Sequence, residues 1–164
     1  MNPDAPQGAA LIDGRSEFTA AVRFALSHSA SERARELCFV DPDFEAWPLE
    51  DPQVLSALTA WARLPMRRLL MIAARFDDLS RHCPRFTAWR RDWAHVIECR
   101  ATEIETSQVP TLLLAGPHSL QLADRLQWRG HWLRDDSEIS AWREVADVLM
   151  QRSEADFPAN TLGL

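Results

Sequence analysis

Lysine and tyrosine are absent from this chain. All 18 positively charged residues are arginines. That excludes every mechanism routed through a lysine amine, including Schiff bases, a Walker-type phosphate loop and a kinase-type phosphate lysine. GC-rich arginine codons are sufficient cause for the bias, and the exclusion holds whatever produced it. Cysteine is scarce: Cys38, Cys83 and Cys99 form an odd set without paired spacing, which suits reduced thiols rather than a disulfide framework. No apolar run approaches the ~18 residues of a membrane span. The opening stretch MNPDAPQGAALIDG has no basic region followed by an apolar one, so no signal peptide is expected. Together these absences predict a cytoplasmic protein without a membrane partner.

What is present fits one globular domain. The chain has 164 residues, 46% hydrophobic and 26% charged, enough to bury a sizeable core. Its net charge of −6 is unevenly spread. Between Arg63 and Arg100 nine arginines face four acids, a local +5 that leaves −11 for the remainder. A basic middle attracts phosphate or a nucleic-acid backbone, although solvated helix faces produce the same bias.

Residues 1–13 read as a flexible leader, 14–153 as the folded domain and 154–164 as a C-terminal tail that docks on its own domain or on a partner. Ser16 is placed to cap a helix through EFTAAVRFALSHS. RELCFVD reads as a buried strand, ended by the proline-rich loop DPDFEAWPLEDP. Asp51-Pro52 is an N-cap followed by a first-turn proline, opening a helix with Val54, Leu58 and Trp61 inward. RRLLMIAA is a second buried strand. A helical segment from Phe76 restarts at Pro84 and carries Phe86, Trp89 and Trp93 on one stripe. HVIECRA, TLLLAG, HSLQLAD and WRGHWLRD follow as strands with short turns. Asp135 and Glu138 have capping-box spacing ahead of a last helix. The alternation predicts an α/β fold, a single domain with a mixed, mostly parallel sheet, helices on both faces and an antiparallel edge.

Three groups of residues carry candidate chemistry. Asp41 and Asp43 lie just past the carboxyl end of the first long strand, where ligands of open α/β sheets bind. Two carboxylates there can hold a cation, or serve only the tight turn that Asp-Pro-Asp-Phe favours. Trp47 either roofs that edge or packs beneath the loop. In RFTAWRRDWAH the tryptophans read as core, which leaves Arg85, Arg90 and Arg91 on the other side as candidate anion or nucleic-acid contacts. His82, Cys83, His95 and Cys99 do not make a zinc site, because His95 and Cys99 on a strand stand ~13 Å apart. No metal and no cofactor is expected. His118 opens a strand after Gly116-Pro117.

The order of elements resembles one half of the phospholipase D-like (HKD) fold, over roughly residues 14 to 153. The stretches DPDFEAWPL, CPRFTAWRRDWAH and VPTLLL are similar to those of proteobacterial domains assigned to that fold. In active members a histidine, a lysine two residues on and an aspartate five further on share a strand and its turn, with glycine and serine on the next strand. Here His118 stands for the histidine, Leu120 occupies the lysine position and Arg125 the aspartate position, with Asp124 one residue early. Gly130 is followed by His131 rather than serine. The resemblance therefore implies a degenerate motif, and a non-catalytic binding or regulatory module working as a homodimer with a possible protein partner. It leaves two alternatives: a phosphodiester hydrolase using His118, Asp124 and His131 with arginines in place of lysine, and an arginine-driven nucleic-acid or nucleotide binder.

Overall fold

Leu37 and Phe39 on one side and Cys38 and Val40 on the other are all buried. The strand that carries them is thus covered on both faces, as an interior strand of an α/β sheet must be. The computed structural model describes residues 11–29 and 34–158. In chain order they form β1 (Leu11–Asp13), α1 (Arg15–His28), β2 (Glu36–Asp41), α2 (Pro52–Ala62), β3 (Arg68–Ala73), α3 (Leu79–His82) and α4 (Pro84–Asp92). These are followed by β4 (Ile97–Thr102), β5 (Thr111–Leu114), β6 (Leu120–Asp124), β7 (Arg129–Trp132), α5 (Asp136–Gln151) and β8 (Ser153–Ala155).

The eight strands make one open sheet in the order β1-β7-β6-β5-β2-β3-β4-β8. β2, β3 and β4 run parallel, and every other pairing is antiparallel. The α/β class and the mixed sheet are as expected, but the sheet is not mostly parallel: five of its seven strand pairings are antiparallel. On one side β5, β6 and β7 follow one another through short turns, and a short turn permits only antiparallel neighbours; on the other, β8 follows α5 and pairs antiparallel with β4.

The helices divide unequally between the faces. Phe18, Val22 and Leu26 of α1, Val54, Leu58 and Trp61 of α2, and Phe86 and Trp89 of α4 join Leu37, Phe39, Leu69 and Met71 in the larger core. On the other face only α5 packs, through Ala146 and Leu149 over Cys38, Val40, Leu70 and Leu114.

Local chemistry sets the helix starts. The Asp51 side chain accepts from Gln53 N at 2.8 Å and Pro52 opens α2. The Asp135 side chain accepts from Glu138 N at 2.8 Å at the start of α5. At α1 the sequence expectation is corrected, because Gly14, not Ser16, is the N-cap residue. Its φ of +103° is open to glycine and strained for a side-chain residue. In place of a Ser16 cap, Glu17 Oε2 accepts from Asp13 N at 2.7 Å.

Both termini of the domain are more structured than the sequence suggests. Leu11–Asp13, placed in the leader, is β1 and pairs with β7. Ser153–Ala155, at the start of the expected tail, is β8 and pairs with β4. Phe157 then turns inward, 8% exposed, and stacks on Phe76 with ring centroids 5.6 Å apart, so this part of the tail docks on its own domain. The rest of the leader (1–10) and of the tail (159–164) lies outside the described residues. No helix among the described residues is long and apolar enough to cross a membrane.

Candidate functional site

The carboxyl end of β2 is densely hydrogen-bonded. Asp41, 1% exposed, accepts from Phe44 N at 2.7 Å, Asp43 N at 3.1 Å, Thr111 Oγ1 at 2.5 Å and Arg125 Nη2 at 3.1 Å. Burial raises the Asp41 carboxyl above the ordinary value, against the pull of Arg125 and these donors. Arg125 Nη2 also lies 2.8 Å from Asp43 Oδ1. Burial would raise Asp43 too, but the Glu45 N–H and Arg125 outweigh it and hold its carboxyl below the usual range.

The cation that two carboxylates at this edge require is thus supplied by the protein itself, from the β6–β7 turn. Among the described residues no group of three or more His, Cys, Asp or Glu side chains could hold a metal ion. Trp47 packs beneath the loop rather than roofing the edge. It is 4% exposed, against Phe39 at 5.3 Å and edge-on to Phe44 at 5.0 Å. Phe44 adopts a φ of +60°, and the bonds from Asp41 to its N–H and to that of Asp43 fix the tight turn. Sequence spacing gave no sign of Arg125 as the partner, since it joins the two aspartates across more than eighty residues.

His118, Asp124 and His131, singled out by the resemblance, do not converge. His118 sits in the bend before β6, its ring 5.2 Å from Phe24 and 5.4 Å from His28 of α1. His131 pairs with Gln121 on β6, whose neighbours Leu120 and Leu122 point into the α1-side core. His131 therefore faces α5, where its Nε2 lies 2.8 Å from Glu138 Oε1. The two histidines are on opposite faces of the sheet. Asp124 ends β6 at the far edge, exposed, and accepts from Gln127 N at 3.0 Å. From His118 to Asp124 is six residue steps, roughly 20 Å of strand. Gly130 is explained by packing: a Cβ there would lie 2.7 Å from Leu122 Cα and collide with Gln121 O.

The arginines of α4 also divide. Arg85 and Arg91 are exposed as expected. Arg90 is not: it is 8% exposed, because it follows Phe86 by four residues and flanks the buried stripe. Its Nε donates to Phe157 O at 3.3 Å, and its Nη1 is buried without an acceptor.

Arg90 forms one wall of an open groove of about 690 Å³ between α4, the amino-terminal half of β4 and the chain just past β8. Arg67, Arg68, His95, Glu98 and Asp156 line it further. Arg67 Nε is likewise buried without an acceptor. Glu98 is already engaged by Arg68 at 2.7 Å and Arg100 at 3.2 Å, which holds its carboxyl below the usual range, Arg68 foremost.

The three thiols are not activated as nucleophiles. Burial pushes the thiols of Cys38 and Cys99 up to about 12 and that of Cys83 up to about 11, the reverse of an activated cysteine. No protein-family profile matches the chain, and no match is found among curated proteins or solved structures.

Proposed function

We propose that this protein is a non-catalytic binding module on a half phospholipase D-like scaffold, and that it works as one of a homodimeric pair. The observation that carries the reading is the separation of His118, Asp124 and His131 across two faces and two ends of the sheet. General acid–base or nucleophilic phosphoryl chemistry needs its groups within hydrogen-bond reach of one reacting centre. The chain also lacks the lysine of the family motif, and its arginine at the aspartate position is committed to Asp41 and Asp43. A place with room for a ligand is the groove beside α4, within the size range of small-molecule sites. The nucleic-acid alternative has less to draw on, because Arg90 turns inward and only Arg85 and Arg91 stay exposed on that helix.

The test is turnover of an activated phosphodiester such as bis(p-nitrophenyl) phosphate by the wild-type protein and by His118→Ala and His131→Ala. The expected rate is that of buffer for all three. Turnover by the wild type that disappears in His118→Ala would replace this reading with the hydrolase. The dimer is tested by solution mass.

A further inference from the structure

We propose that the groove beside α4 is a binding site for a tetrahedral oxyanion, the phosphate or sulfate group of a small molecule. The inference rests on the binding-module reading and gives it a ligand chemistry.

Arg90 is the starting point. A guanidinium stays charged at any physiological pH, so burying one requires a compensating anion. Among the described residues no carboxylate forms an ion pair with Arg90. Its partners among the described residues are neutral, the Phe157 carbonyl and the Cys99 sulfur. The acids of the same groove, Glu98 and Asp156, make no ion pair with Arg90. Glu98 is shared between Arg68 and Arg100, and Asp156 Oδ1 accepts from Phe157 N at 2.7 Å. Among the described residues the site therefore has a buried positive charge with an unused donor and no carboxylate paired to it.

The arrangement of donors selects the shape of that anion. A planar carboxylate is matched by two parallel N–H groups of one guanidinium. Each arginine keeps such a pair, so the selection rests on there being two guanidiniums rather than one. Arg90 spends Nε on Phe157 and keeps Nη1, while Arg67 spends Nη1 on Pro65 O at 2.8 Å and keeps Nε. Guanidiniums on two separate elements, α4 and the turn before β3, suit an anion whose oxygens point in several directions. His95, stacked on Trp93 at 5.7 Å, adds a third group from the turn before β4. The groove exceeds one oxyanion in volume, and Ala94, Val96 and Ala155 give an apolar wall for the rest of a small molecule. β4 is four strands from β6, roughly 19 Å at the usual spacing, so this site is separate from the histidine stretch.

The experiment is thermal unfolding of the full chain in phosphate, sulfate or acetate, each against chloride at equal ionic strength, on wild type, Arg90→Met and Arg67→Ala. Phosphate or sulfate is expected to raise the wild-type midpoint saturably, by roughly 3–8 °C near saturation, since an anion that binds only the folded state stabilises it. Acetate is expected to do much less. Arg90→Met keeps the volume of the side chain and removes the unpaired charge. It is expected to fold and to lose at least tenfold in oxyanion affinity. Arg67→Ala, on the rim, is expected to lose severalfold and covers the case in which the Arg90 variant fails to fold.

No oxyanion-dependent shift in the wild type, a shift of the same size with acetate, or a shift unchanged in the variants overturns the proposal. These failures are separable from failure of the underlying reading. A blank titration beside a blank phosphodiester assay removes the ligand class alone. His118-dependent turnover removes the non-catalytic reading whatever the titration gives.

Discussion

Arg125 Nη2 lies 3.1 Å from Asp41 Oδ2 and 2.8 Å from Asp43 Oδ1, so one nitrogen of the β6–β7 turn closes the loop that leaves β2. Removing it has a pH signature. Burial raises Asp41 and Arg125 opposes this, while Arg125 contributes to the lowering of Asp43. In Arg125→Ala, Asp41 rises further. The folded chain then holds a proton that the unfolded chain releases near 3.8, and stability falls as pH rises through that window. Asp43 loses stabilisation that is present only above its ordinary value, so both effects act in the same direction. The variant is expected to be about 1–2 kcal/mol less stable at pH 7, a value discounted because the Arg125 side chain is a third exposed. The deficit should shrink toward pH 4. Urea midpoints at the two pH values measure it, and a deficit that is equal or larger in acid rejects the account.

Asp41→Ala is the harsher change. It leaves Thr111 and the Phe44 N–H without their buried acceptor, and each orphaned donor costs about 1–3 kcal/mol. A loss of about 3 kcal/mol is expected in equilibrium unfolding. Asp43→Ala, at the more open of the two carboxylates, should lose less than half as much.

The thiols give a chemical readout of the core. With Cys38 and Cys99 pushed up to about 12 and Cys83 up to about 11, the thiolate fraction at pH 7 falls about a hundredfold or more below that of a free cysteine, by roughly tenfold per pH unit. Iodoacetamide should leave all three unmodified in the native protein and label all three in urea, read by mass. Rapid native labelling at Cys83 alone would show that the α3–α4 junction opens.

Gly130→Ala puts a methyl group against the backbone of β6, where neither Gln121 nor Leu122 has a side chain to move aside. A loss of about 3 kcal/mol or more is expected, or failure to fold. Gly14→Ala meets no atom within 4 Å and is penalised only through its φ of +103°, so it should cost about 1–2 kcal/mol. Comparing the two melting temperatures separates steric from backbone effects. If the order were reversed, the close β6–β7 approach would not be the constraint.

How far these features were legible depends on how local their causes are. The starts of α2 and α5 were readable because Asp51-Pro52 and Asp135 with Glu138 carry their caps within a few residues. β2 and β3 were readable because each is a short apolar run bounded by polar turns. β1 and β8 were not: three residues have no measurable period, and each is a strand only because a distant partner pairs with it. The burial of Arg90 had a signal that charge obscured, since its four-residue step from Phe86 puts it beside the stripe whatever its side chain. The bridge from Arg125 to Asp41 and Asp43 had none. It depends on two loops meeting across the sheet, which no window along the chain contains.

The strand order has a consequence for how copies of this chain meet in concentrated solution. Both rims of the sheet are three residues long, Leu11–Asp13 and Ser153–Ala155, each with an acidic side chain, Asp13 or Glu154. A template for fibrous growth needs a long, flat, apolar rim with unspent peptide groups. The longer apolar strands β2, β3 and β5 lie inside the sheet, with both of their ladders already made. The fold thus keeps its most adhesive segments away from its borders, and opening the sheet itself would be required before they could seed assembly.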